Sequence, residues 1–158
     1  MATVTKNQTE RNDFNHTPYG NVVALRYTLK TNSSGGAIDA NSAAALDIAD
    51  VVNVGILPAG LRIIDSQVVV KTAMTASVTG NLGFAYVDGV DDTSVPQDAT
   101  YLGAALVLSA AARLRNVVAK TSVNLPKPAY LTLTVGGAKN VKASEVEITI
   151  LAIAEGRK

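Results

Sequence analysis

The run from Ile56 to Asp88 constrains the fold more than any other stretch of this chain. It opens on Leu57-Pro58-Ala59-Gly60, a turn in which proline sets φ at the second position and Gly60 can take a positive φ without steric cost. After the turn, Ile64, Ser66, Val68, Val70 and Thr72 alternate with Ile63, Asp65, Gln67, Val69 and Lys71. A period of two, with a mostly apolar row against a mostly polar one, predicts a strand with one face in a core and the other in water. Strands of that kind belong to antiparallel sheets.

The same alternation recurs along the chain. Val23, Leu25, Tyr27 and Leu29 form an apolar face over Val22 to Lys30, and an Asn32–Gly36 loop follows. A second strand is expected over Leu46 to Val54, with Asp50 marking a bulge or a sheet edge. Gly80-Asn81 reads as a reversal before a strand in which Leu82, Phe84 and Tyr86 alternate with Gly83, Ala85 and Val87. Gly83 and Ala85 leave one face nearly bare, so another backbone or a neighbouring subunit should approach it. Asp98 to Ala105 departs from the pattern: Asp98 is a plausible N-cap and the alanines favour a helical or irregular segment. Strands over Ala129 to Val135, closed by Gly136-Gly137, and over Ser144 to Ala154 complete the set.

At least six strands, loops longer than two-residue hairpins and at most one short helix predict an all-β jelly-roll or Greek-key β-sandwich. The expected organisation is an extended N-terminal arm over residues 1–20 and a single β-sandwich domain over 21–158, a size that buries a core without staples. The arm is polar and lacks the apolar segment of a signal peptide. Phe14 and Tyr19 are its large apolar groups, and it is expected to be held by another subunit or a larger assembly, with folding back over its own domain as the alternative.

Composition narrows the function. Hydrophobic residues make up 47% of the chain but aromatics only 4%, so the core must be built from Ala, Val, Ile and Leu. Charged residues are 17%, below the ~25% usual for globular domains, which implies that a partner covers part of the surface. A net charge of +1 gives no electrostatic case for nucleic acid or an anionic membrane, and no apolar run is long enough to span one. Without cysteine there are neither disulfides nor thiolate metal sites.

No catalytic set can be assembled. His16 is the single histidine and lies in the arm, so it reads as a polar contact and not as a base or zinc ligand. Phosphate-binding glycine signatures are absent, and no cofactor is expected. The acidic turn Asp88-Gly89-Val90-Asp91-Asp92 is the best metal candidate, for calcium, but acidic turns are common and its spacing is not that of an EF-hand. Carbohydrate binding would need aromatic platforms that a chain without tryptophan largely lacks. Arg113, Arg115 and Lys120 form a small basic group that surface ion pairs or a subunit contact would explain.

The order of these elements resembles the small jelly-roll decoration (cement) proteins of tailed bacteriophages. The matching features are a strand entering Leu57-Pro58-Ala59-Gly60, the run from Ile63 to Ala73, Asn81-Leu82-Gly83-Phe84-Ala85 with its acidic loop, Tyr101-Leu102, Pro128 to Thr134 and a closing strand, over roughly residues 45–154. The resemblance implies a homotrimer seated on the outside of an icosahedral head. There it would clamp adjacent capsomers of the major capsid protein, having stood in the host cytoplasm before assembly. On that reading the subunit or capsid interface is expected at Asn7, Arg11, Asp13, Phe14, His16 and Tyr19 of the arm, and at Gly83 and Ala85 on the bare strand face. A tail-associated or receptor-binding jelly roll, a small-virus coat protein and, least of all, a cupin-type enzyme are the alternatives.

Overall fold

A computed structural model describes residues 1–7, 21–115 and 118–155. Within them lie ten strands and no helix: β1 Thr3–Thr5, β2 Val22–Thr31, β3 Val51–Leu57, β4 Leu61–Thr72, β5 Thr79–Tyr86, β6 Asp98–Val107, β7 Ala112–Arg115, β8 Val123–Asn124, β9 Ala129–Gly136 and β10 Ser144–Ala154. They form two sheets, one in the order β1-β3-β9-β5-β6 and the other in the order β2-β10-β4-β7, with β8 also pairing with β4. Leaving aside the short β1 and β8, two four-stranded sheets remain, and the chain crosses between them at most connections. That is the two-Greek-key pattern of a jelly-roll sandwich.

The strands that the period-two reading predicts form where the alternation is cleanest. In β10, Ser144, Val146, Ile148, Ile150, Ala152 and Ala154 are buried while the residues between them are half-exposed. Leu25, Tyr27 and Leu29 of β2 and Leu131, Leu133 and Val135 of β9 pack into the same core. Gly60 adopts φ +76°, so the turn before β4 needs the glycine.

Four expectations fail locally. β4 does not keep one alternation: Ile63 is buried and Ile64 is 47% exposed, because the ladder to β10 steps from Asp65 to Ile63 and leaves Ile64 unpaired. That bulge reverses the face of every residue beyond it. The strand expected from Leu46 starts only at Val51, and Asp50 stands before it as a cap, its carboxylate accepting from Asp47 N (2.9 Å) and Ala2 N (2.6 Å). Gly80 and Asn81 lie inside β5 and do not reverse the chain. A Cβ at Gly80 would come within 2.9 Å of Leu108 and Leu133 side chains, so this glycine answers to packing. The segment predicted to be helical or irregular at Asp98–Ala105 is strand β6. Pairing with β5 outweighs the helical preference of its alanines. The irregularity survives as register shifts against β5 and as φ +49° at Ala105, whose N–H donates to Asn81 Oδ1 at 2.8 Å.

One buried side chain ties the sheets together at the loop end. Asn140, fully buried, donates through Nδ2 to Thr31 Oγ1, Gly35 O and Lys142 O, and its Oδ1 accepts from Thr75 N and Oγ1. Its amide thus satisfies three loops, where unpaired polar atoms would cost most.

Candidate assembly interface

The N-terminal residues begin the site. β1 runs parallel to β3, with Thr3, Val4 and Thr5 opposite Val51, Val52 and Asn53. Val51 N donates to Ala2 O at 2.8 Å and Lys6 N to Asn53 O at 3.2 Å; the Lys6 ammonium reaches Thr28 O in the other sheet. Val4 is only 3% exposed and completes the core. This end of the arm therefore folds back over its own domain, and Val4 is an apolar anchor that a reading limited to Phe14 and Tyr19 overlooks. Its only sequence signal is the β-branched triplet Thr3-Val4-Thr5, too short to show a period. Asn7 is exposed and donates its N–H to Asp39 O. Arg11, Asp13, Phe14, His16 and Tyr19 lie outside the described residues.

The space beside Gly83 is filled by this chain's own backbone. A Cβ there would lie 2.0 Å from Asp98 O and 2.4 Å from Ala99 C, so the close neighbour is the start of β6. Ala85, half-buried, instead lines a half-open depression of about 240 Å³ with Val51, Thr132 and Thr134, rimmed by Gln97 to Ala99.

The outer surfaces of the two sheets differ in kind. β2, β10, β4 and β7 carry nine charged residues: Arg26 and Lys30, Glu145 and Glu147, Arg62, Asp65 and Lys71, and Arg113 and Arg115. Many form cross-strand pairs. Lys71 Nζ lies 3.2 Å from Glu145 and 3.0 Å from Glu147, and Lys30 and Arg26 each stand 3.9 Å from one of the two glutamates. Lys71 holds the Glu147 carboxyl below its ordinary range, and Glu147 followed by Glu145 raises the Lys71 ammonium above its own. The basic group foreseen at 113–120 is dispersed: Arg113 donates to Gln67, Arg115 pairs with Asp65 and Lys120 with Asp98. By contrast, the five strands of the other sheet hold one charged residue, Asp98. The outward positions alternating with the core carry polar or small groups: Tyr130, Thr134 and the buried Thr132 on β9, Asn81 and Ala85 on β5 and Val51 on β3.

The acidic turn is organised by its own chain. Lys127 Nζ contacts both carboxylate oxygens of Asp88 (3.0 and 2.8 Å) and sits 4.5 Å from the Tyr86 ring centroid. The Lys127 hydrogen bond holds the Asp88 carboxyl below its usual value, whereas burial, followed by Asp92, Asp91 and Asp88, pushes the Tyr86 phenol up to about 12. Asp91 Oδ1 accepts from Asp92 N and Gln97 N, and Asp92 Oδ1 from Ser94 N and Val95 N. An ammonium thus occupies the side of Asp88 where calcium was considered. Among the described residues, no three His, Cys, Asp or Glu side chains converge as metal ligands.

Fold and surface together define an all-β jelly-roll domain with one charge-paired outer face and one that is uncharged apart from Asp98 at its β6 edge. Its fold matches a chain in the capsid of Ralstonia phage GP4, with a TM-score of 0.67 at 12% identity, over 99% of this chain and 100% of that one. A chain in the cyanophage Pam1 capsid asymmetric unit matches with a TM-score of 0.60 at 13% identity, over 92% and 94% of the two chains. At these identities the likeness is one of fold. No protein-family model and no curated protein sequence matches the chain.

Proposed function

We propose that this chain is a virion structural protein, a decoration or cement protein that binds the outside of an icosahedral phage head as a homotrimer and stabilises contacts between capsomers of the major capsid protein. The reading rests on the end-to-end fold match to a chain of a phage capsid, which leaves almost no part of either chain unmatched. An uncharged sheet face and a charge content of 17% support a protein that spends its working life covered. The part of the arm with Arg11, Asp13, Phe14, His16 and Tyr19 is assigned to the shell. Three such arms on one trimer convert weak single contacts into avid attachment through effective concentration. The role calls on no catalytic group, cofactor, nucleic acid or membrane.

The test is to add the protein to heads that lack it and to follow binding and the temperature at which heads rupture. Wild-type protein should bind and raise that temperature. A variant with Arg11, Phe14, His16 and Tyr19 changed to serine keeps Val4 and β1, and should bind at least ten-fold more weakly. Failure of the wild type to bind would sink the capsid reading; equal binding by the variant would remove only the arm's role.

A further inference from the structure

We infer that the uncharged outer face of the β1-β3-β9-β5-β6 sheet is where copies of this chain pack on one another, the face of one copy against the β6 edge of the next. The inference deepens the proposed trimer and rests on that reading only for the assembly it serves.

Charge supplies the first argument. Interface cores are depleted in charged residues because each ion buried there must be desolvated and paired. On this sheet nothing charged stands between Thr3 and Tyr86 along β1, β3, β9 and β5. The other sheet pairs its charges across strands, as a face kept in water does.

The edge supplies the second. Exposed edge strands are normally guarded by charged residues or proline. β6 opens on Asp98, which pairs with Lys120, but from Ala99 to Ala112 the chain has neither, and Ala104 and Ala105 are exposed and Val107 is 48% exposed. The bulges in β6 and the positive φ of Ala105 prevent a regular ladder with another strand, so the edge suits side-chain packing better than strand addition.

Area fits the same occupant. The edge limits the contact: ten residues of β6 at ~3.4 Å rise and a sheet thickness of ~10 Å present roughly 340 Å². A copy that contributes both a face and an edge buries about 700 Å², near the roughly 800 Å² per partner of a standard interface. A face-to-edge contact is heterologous, so each copy contributes to two of them, and a three-fold rotation between copies closes them into the proposed trimer. A second copy is favoured because one sheet carries both halves, the uncharged face and the uncharged edge. The depression beside Ala85 gives the face relief into which an apolar side chain of the neighbour can seat.

Light scattering and circular-dichroism melts on purified protein test this directly. Wild type should be oligomeric at micromolar concentration. Thr134→Lys on the face and Val107→Lys on the edge should each weaken association at least ten-fold while the protein stays folded, and Val69→Lys on the charged sheet should leave it unchanged. If Thr134→Lys unfolds, Tyr130→Lys takes its place. A monomeric wild type, or oligomers unaffected by both face and edge lysines, overturns the inference. A monomeric wild type that binds heads and loses binding with Thr134→Lys would give the face to the shell protein, overturning self-packing while the capsid role stands. Oligomers that dissociate with Thr134→Lys but never bind heads would leave the inference intact and remove the capsid role.

Discussion

The two sheets share one core and present opposite outer faces. Inward, both are lined by the same residue types, such as Val146, Ile148 and Ile150 on β10 against Leu131, Leu133 and Phe84 on β9 and β5. Outward, one bears a Lys-Glu-Lys network set by strand register, with Lys30 opposite Glu145 and Thr28 opposite Glu147. A slip of β10 by one residue would turn both glutamates into the core, so these charges specify register as well as hydration. The uncharged sheet obtains its register from shape: Gly83 admits the β6 backbone, and bulges in β3 and β6 fix which residues oppose which. One face is finished for water; the other is finished only by backbone fit.

That difference predicts where a single methyl group matters most. Gly83→Ala places a carbon 2.0 Å from Asp98 O, a backbone atom that cannot swing aside. Overpacking of this kind should cost about 3 kcal/mol. Val69→Ala, at a half-exposed outward position of β4, should cost roughly 1 kcal/mol or less. Urea melts of both variants measure the contrast, and comparable losses would show that the uncharged sheet is no more shape-dependent than its partner.

The edges of the uncharged sheet differ too. β3 is covered by β1 of the same chain, whereas among the described residues no strand pairs with the far side of β6, whose first half is instead contacted by Lys120 and Thr121. Val4→Ala removes the apolar anchor of β1 and should cost on the order of 1–2 kcal/mol. Hydrogen exchange at the Val51 amide, which bonds to Ala2 O, should accelerate while the amides of β10 keep their protection. Equal acceleration in both sheets would mean that β1 supports the whole fold and not one edge.

Much of the fold was legible in the chain because the long strands announce themselves. β2, β9 and β10 carry unbroken alternation, and Leu57-Pro58-Ala59-Gly60 locates a crossing between sheets. What stayed hidden has physical reasons. The bulge at Ile64 leaves no mark on periodicity except a reversal of faces, and β6 is an alanine-rich segment whose pairing, not its propensity, makes it a strand. For the interface, a shortage of charge was visible in the composition, but its concentration on one sheet was not. Thr132, Thr134, Asn81 and Ala85 read as ordinary wet-face residues until the topology puts β9, β5 and β3 side by side. Gly83 was singled out for close approach, and the approaching backbone belongs to the same chain.

The smallest expected effect, on the charged face, separates the two surfaces by condition. Glu147 has its folded-state pKa depressed below the ordinary 4.5, so its stabilisation is present above that value and lost as pH falls through the folded pKa. Lys71 has its own raised above 10.5, so its contribution is present below that value and lost as pH rises through the folded pKa. The network therefore acts between about pH 5 and pH 10, and its exposure to solvent keeps it weak and sensitive to salt. Lys71→Met should lower the melting temperature slightly at pH 7 in dilute buffer, and not measurably in ~1 M salt, where wild type has lost the same interaction to screening. Packing of the β1, β3, β9 and β5 face on the Ala104–Val107 stretch of β6 contains no ion to screen, so oligomer size should hold across that pH window and survive both the salt and the substitution. An oligomer that dissociates with Lys71→Met, or as salt is added, would place the charged sheet in the contact and exchange the roles of the two faces.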